Sequence, residues 1–297
     1  MADKSVQLTE ELLIAIRAQP GFAVACQEAS AKAVRLFRDL DPPYQWITKD
    51  LGRASICLTA AMLHYSGGLT VQNLTAICVT NRVSSPGRVR QVVRRCREMG
   101  QFRVEEGPGK WTRRPAHVGP SILVMLRQRA LCDMEAAITL APELGGALPI
   151  METEEGFVSG LMQLALATTK HRDLFAFATR RPTNFFLDRE AGMLILLDLL
   201  ASQPPGRNRL LGEAALSRSA LSRRYGVSRA HINKLLSESG HATVTGDRVV
   251  FSNVLSSALE DHFALVFAHN QTVARTLLSG WRYNRRQDRG SSAAHAA

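Results

Sequence analysis

Aromatic residues are scarce. Phe, Trp and Tyr together make up 6% of the 297 residues, and β-branched runs are short, which argues against an all-β chain and points to helices. The five cysteines (Cys26, Cys57, Cys78, Cys96, Cys132) fall singly in apolar helical patterns with no CxxC pair. That excludes a disulfide framework and a paired-cysteine zinc site, and suits reduced core thiols in a cytosol. No apolar run approaches the ~20 residues a membrane helix needs, and nothing at the N-terminus resembles a signal peptide. The most tempting stretch, "GMLILLDLLA" (192–201), is half that length, is interrupted by Asp198, and reads as core. GxxxxGK[ST] and HExxH are absent. The histidines are dispersed; His64, His117, His171 and His262 sit in or beside apolar helical patterns and read as structural or surface groups. Asp39, Asp41, Asp188 and Glu190, beside proline-containing turns, read as helix-start charges rather than a catalytic pair. No catalytic constellation is visible, so an enzyme is the weakest hypothesis and no cofactor is expected. Acid is also in short supply. Lys and Arg number 37 against 26 acidic residues, a formal charge of +11, which favours an anionic partner through counterion release and steering.

What is present reads twice. "PGFAVACQEASAKAVRLFRDLDPPYQWITKDLGRASICLTAAML" begins at Pro20, and "EGFVSGLMQLALATTKHRDLFAFATRRPTNFFLDREAGMLILLDLLA" begins at Glu155. Each runs from Gly-Phe into a long helix (22–40, 157–179) and a proline-containing break. An aromatic (Trp46, Phe186) and a short charged stretch then lead to a second apolar helix (49–64, 189–201). Gly52 and Gly192 lie 140 positions apart, as do Gly100 and Gly240. We read an internal duplication of about 140 residues per copy, an ordinary domain size. A polar break ("YSGG", "SQPPGRNR") precedes two short helices, a strand–turn–strand and a final apolar helix in each copy.

The two short helices carry the functional signal. In "ALSRRYGVSRAHINKLLSES", Leu216, Ala220 and Leu221 give the first helix an apolar side. Gly226 supplies a turn position where positive φ costs little, and Ser228 is placed to cap the next helix. Ile232, Leu235 and Leu236 form an inward stripe, leaving Arg229, Ala230, Asn233 and Lys234 outward. In a recognition helix those turns meet base edges: Arg and Lys suit guanine, Asn suits adenine, and Ala permits close approach or a thymine-methyl contact. The first copy, "NLTAICVTNRVSSPGRVRQVVRRCREMG", repeats the scheme. Leu74, Ile77 and Cys78 line one helix, Ser85 is the N-cap and Pro86 opens the next helix. Val89, Val92, Val93 and Cys96 form the buried stripe, and Arg88, Arg90, Gln91, Arg94 and Arg95 face outward or sideways. A merely solvated face would mix both signs, whereas here only Glu98 interrupts. Two hairpins follow. "QFRVEEGPGKWTRRPAHV" reads as an alternating strand, a Gly-Pro-Gly turn and a basic strand, and "HATVTGDRVVF" as a tight hairpin with Gly246-Asp247 at its tip. Lys110, Arg113, Arg114 and Arg248 are placed to lie along a phosphate backbone or enter a minor groove.

On this order of elements, and on "ALSRRYGVSRAHINKLLSES", each copy resembles a winged helix of the MarR/PadR-like class of bacterial regulators, over about residues 20–142 and 155–279. The wing of that class usually carries Asp-x-Arg; here Asp247 and Arg248 are adjacent and the first wing lacks the Asp. The resemblance implies a mainly α fold in which one chain carries both halves of a normally homodimeric protein, a covalent pseudodimer packed through its outer helices. It also leaves room for a small-molecule effector between the long helices and the readers. Trp46, Phe185 and Phe186 at the helix junctions are candidates to line that site, against a plain packing role.

The expected organisation is a winged-helix domain over 1–142, a linker over 143–154, a second winged-helix domain over 155–280 and a basic disordered tail over 281–297. The expected function is sequence-specific double-stranded DNA binding as a cytoplasmic, nucleoid-associated transcriptional regulator, with RNA polymerase or another regulator as a further partner, and no membrane. The alternatives are a plasmid-type replication initiator or partition protein, and a winged-helix protein-interaction scaffold.

Overall fold

A computed structural model describes the backbone of residues 8–170, 182–203 and 209–294, with side chains for all of these except 166–170 and 281–294. The described residues are mainly helical, with two small antiparallel sheets, as the mainly α expectation requires. The expected continuation of the second long helix toward Thr179, His171 and most of the "SQPPGRNR" break lie outside the described residues.

The order of elements is α1 (Glu10–Arg17), α2 (Phe22–Asp39), α3 (Pro42–Thr48), α4 (Leu51–Tyr65), α5 (Val71–Thr80), α6 (Pro86–Glu98), β1 (Phe102–Val104), a 3-10 turn (Trp111–Arg113), β2 (Ala116–Val118) and α7 (Pro120–Thr139). A second 3-10 turn (Pro142–Ala147) leads to α8 (Leu148–Glu152), α9 (Glu154–Lys170), α10 (Thr183–Leu187), α11 (Gly192–Ala201) and β3 (Glu213–Ala215). The chain ends with α12 (Arg218–Tyr225), α13 (Arg229–Glu238), β4 (Ala242–Thr245), β5 (Arg248–Phe251) and α14 (Asn253–Ala294).

The second sheet is three-stranded in the order β3-β5-β4, with Ala214 opposite Val249 and Thr245 opposite Arg248 across the Gly246-Asp247 turn. The first is a β1-β2 ladder in which Phe102 faces Val118. There a single bond from the Ala116 N–H to the Leu69 carbonyl (2.9 Å) ties the hairpin to the chain entering α5, much as β3 does in the second unit.

Packing is reciprocal between the halves of the chain. The long helix α2, from the first half, packs against α11 of the second, and α9, from the second half, packs against α4 of the first. α7 and α14 run against each other in the middle, where the buried Gln271 amide donates to the Ala137 carbonyl (3.2 Å). One core therefore joins α1 and α2 to α11–α13, β5 and the start of α14. A second lies wholly between α3 and α7, and a third joins α4, α7, α8, α9 and α14. Arg17 of α1 reaches Glu260 (3.0 Å) and Asp261 (2.5 Å) of α14, and Lys32 of α2 reaches Glu135 of α7 (2.8 Å).

Residues 143–154, the expected linker, are packed against the rest of the chain. Leu144, Ala147, Ile150 and Met151 are buried, and removing so much apolar surface from water folds the segment into a 3-10 turn and a short helix. The backbone of the expected disordered tail continues α14 as helix to Ala294. Glycine is required at the junction of α10 and α11. A Cβ on Gly192 would lie 2.2 Å from the Phe186 carbonyl oxygen, so only glycine lets α11 start directly against α10. Among the described residues no helix is long and apolar enough to cross a membrane.

Candidate nucleic-acid interface

Each half builds a two-helix unit whose second helix shows cations outward. In the second unit α12 ends at Gly226, which takes φ +60°, and α13 starts at Ser228, whose hydroxyl accepts from the His231 N–H (3.0 Å). Ile232, Leu235 and Leu236 are buried together with Leu216, Leu221 and Tyr225, so the face carrying Arg229, Ala230, Asn233 and Lys234 is fixed in solvent by the packing of the opposite stripe. In the first unit Ser85 accepts from the Arg88 N–H (3.4 Å), Pro86 opens α6, and Val89, Val92, Val93 and Cys96 are buried. Arg90, Gln91, Arg94 and Arg95 are exposed. The connecting turn is longer here, and Arg82 takes the left-handed conformation (φ +56°).

Not all of the predicted cations point to solvent. Arg88 turns back and pairs with Asp50, the N-cap of α4, whose side chain is only 8% exposed. Removing Arg88 would leave the buried Asp50 charge without this partner, so Arg88 also braces the start of α4. Arg114 is half-buried and donates to the Gly109 carbonyl (2.9 Å), bracing the turn of the first hairpin. The expected basic second strand is the 3-10 turn Trp111–Arg113, because the ladder resumes only at Ala116, after Pro115, a residue with no N–H to give. Lys110 and Arg113 are exposed, and Arg113 Nε donates to Gln72 Oε1 of α5 (2.9 Å), which fixes the hairpin against that helix.

The remaining pairs are weak enough to yield to another anion. Arg95–Glu98 (3.1 Å) is 52% exposed on both sides, and Lys234–Glu238 (3.7 Å) is still more open, so each contributes under about 1 kcal/mol. Arg248 pairs with Glu213 (2.5 Å) on the surface of the hairpin. Among the described residues Arg90, Arg94 and Arg229 have no acidic partner.

Three contributors escaped the sequence reading. Arg218, the first residue of α12, donates to Asn233 Oδ1 and to the Gly246 carbonyl. Arg97 lies over the Trp111 ring at 5.6 Å. Lys49 and Arg53 of the first half meet Glu190 of the second, Lys49 at 3.4 Å and Arg53 at 3.6 Å, with the Ala191 N–H on the Lys49 carbonyl (2.6 Å) and His231 on the Glu190 carbonyl (2.9 Å). This polar seam joins the starts of α4, α11 and α13. No short-range motif signals it, since its members are spread over some 180 positions.

The aromatics at the helix junctions pack rather than line an opening. Phe186 is fully buried, Trp46 lies under Arg53 at 4.3 Å, and Phe185 lies under Arg189 at 3.4 Å. The five thiols are free. No group of three or more His, Cys, Asp or Glu side chains is arranged to hold a metal ion among the described residues. No family model, curated protein or solved structure matches the chain.

Proposed function

We propose that the chain is a sequence-specific double-stranded DNA-binding regulator of transcription, with two unlike winged-helix readers of the MarR/PadR-like kind fused as a pseudodimer. The observation that carries the reading is the pairing of two capped helices, α6 and α13. Each is pinned by a buried apolar stripe, shows arginine outward with no acidic partner among the described residues, and is followed by a hairpin. The helix, strand, helix, turn, helix and hairpin of the second unit, with its β3-β5-β4 order, support the winged-helix assignment. The packing of α2 on α11 and of α9 on α4 supports the pseudodimer, since a long helix of each half rests on a helix of the other.

In this reading the first turns of α6 and α13 enter successive major grooves. Arg90, Arg94 and Arg95 face phosphates and guanine edges, while Arg229, Ala230 and Asn233 face bases. Lys110, Arg113 and Arg248 follow the backbone from the hairpins. The protein acts by binding rather than catalysis, works at the nucleoid in the cytoplasm, and hands its effect to RNA polymerase or another regulator. A small-molecule effector between the long helices and the readers belongs to the same proposal.

The test is duplex binding followed by fluorescence anisotropy at several salt concentrations. Affinity falls steeply with salt, with a slope near 0.9 per neutralised phosphate. Replacing Arg90, Arg94 and Arg95 together by Ala weakens binding and flattens that slope by about 2–3. A folded triple variant with unchanged affinity and slope contradicts the assignment of α6.

A further inference from the structure

We infer that Trp111, on the first hairpin, is an aromatic wedge that stacks against bases of the bound duplex, giving the arginine-rich unit a contact its helix does not provide. The inference rests on the DNA-binding reading above.

Trp111 opens the 3-10 turn of the first hairpin and is 41% exposed. The other exposed large apolar side chains among the described residues sit on other elements: Ile14 on α1, Val24 on α2, Leu51 on α4, Val79 on α5, Val124 on α7, Val250 on β5 and Val254 on α14. A protein-docking surface needs a contiguous apolar patch, whereas these side chains are spread singly over separate elements. Its neighbours are cations. Lys110 precedes it, Arg113 follows two residues on, and the Arg97 guanidinium sits 5.6 Å from the ring centroid. An indole flanked by cations matches a base stack beside phosphates, because the ring offers a π-face to any base and the cations offset the backbone charge.

The hairpin is also built to hold the ring still. Arg113 Nε binds Gln72 of α5 (2.9 Å), Arg114 binds the Gly109 carbonyl (2.9 Å), and Gly109 takes φ +82° to turn the chain back. Ordering an exposed tryptophan before binding lowers the entropy lost on contact. Inserted aromatic and aliphatic side chains partly unstack a base step and bend the duplex, which lets more of the protein touch it. The second hairpin has no aromatic between Thr245 and Arg248, so this contact belongs to one half of the chain only.

The experiment combines anisotropy of a labelled duplex with intrinsic tryptophan fluorescence, on the full chain and on Trp111→Ala and Trp111→Phe. The expected result is quenching of tryptophan emission as duplex is added to the wild-type chain, absent from Trp111→Phe although that variant still binds. Trp111→Ala loses about ten-fold or more in affinity and Trp111→Phe much less, while far-UV circular dichroism of both matches wild type. Equal quenching in Trp111→Phe places the signal at another tryptophan and overturns the wedge, as does unchanged affinity in folded Trp111→Ala. Absence of any anisotropy change in the wild-type chain instead refutes the DNA-binding reading, and the wedge falls with it.

Discussion

Arg218 donates through Nε to Oδ1 of Asn233 (2.6 Å) and through Nη1 to the Gly246 carbonyl (2.8 Å), so one side chain ties the start of α12 to the exposed face of α13 and to the hairpin tip. The pair changes how Asn233 is read. With its oxygen engaged, the amide is oriented, and its NH2 group is the part presented outward.

Arg218→Ala and Asn233→Ala are therefore expected to weaken duplex binding by similar amounts, about 1–3 kcal/mol each, with the double variant little worse than either. Binding titrations of the four proteins on one duplex check this. Additive losses show that the two residues act independently.

Asp198 sets up a second expectation. It lies in the apolar run of α11, accepts from the Tyr225 hydroxyl (3.1 Å) and pairs with Arg224, so it fastens the end of α12 to the core. Burial first, and the neighbouring Asp198 second, push the Tyr225 phenol well above its ordinary range, which keeps it a neutral donor. Asp198→Ala strands that donor and is expected to lower unfolding stability by roughly 1–3 kcal/mol in urea denaturation. Tyr225→Phe, which removes the donor while keeping the ring, is expected to cost about 1 kcal/mol. A neutral Asp198→Ala variant refutes the fastening role.

Much of the fold was legible because periodicity and capping are local. The stripe of Val89, Val92, Val93 and Cys96, the caps Ser85 and Ser228, and the turn at Gly226 all lie within one or two helical turns of the residues they serve. Asp198 was visible only as an interruption of an apolar run, because its partners are 26 and 27 positions away. The pairing of Arg88 was not legible for the same reason: its position on α6 says that it flanks the exposed face, but the Asp50 carboxylate it meets comes from α4. The packing of 143–154 was missed because its Gly-Gly and Pro residues are turn signals, and the apolar residues among them cover a core that other elements build.

Acid is expected to destabilise the centre of the molecule. His262 and His269, seven residues apart on α14, are both held at about 4; burial is the main cause for each, and Arg129 adds to it for His262 while Asp133 opposes it in both. Above pH 6.5 both states hold them neutral and they contribute nothing to the pH dependence. Between 6.5 and about 4 the unfolded chain takes up protons that the folded chain does not, so stability falls as pH falls, by up to about 1.4 kcal/mol per pH unit for each histidine. Urea midpoints from pH 7 to 4.5 measure this. His262→Gln is expected to flatten the dependence, and an unchanged slope contradicts the assignment.

The account stands most directly on how one chain meets one duplex. A homodimer shows two identical readers and favours a palindrome, whereas α6 and α13 present different residues, and their hairpins differ in length and charge. The decisive measurement is a footprint on a selected duplex together with the mass of the complex. The prediction is an asymmetric protected stretch of two unlike half-sites, about one helical turn apart, covered by a single chain. A perfect palindrome occupied by two chains, each engaging through only one reader, contradicts it.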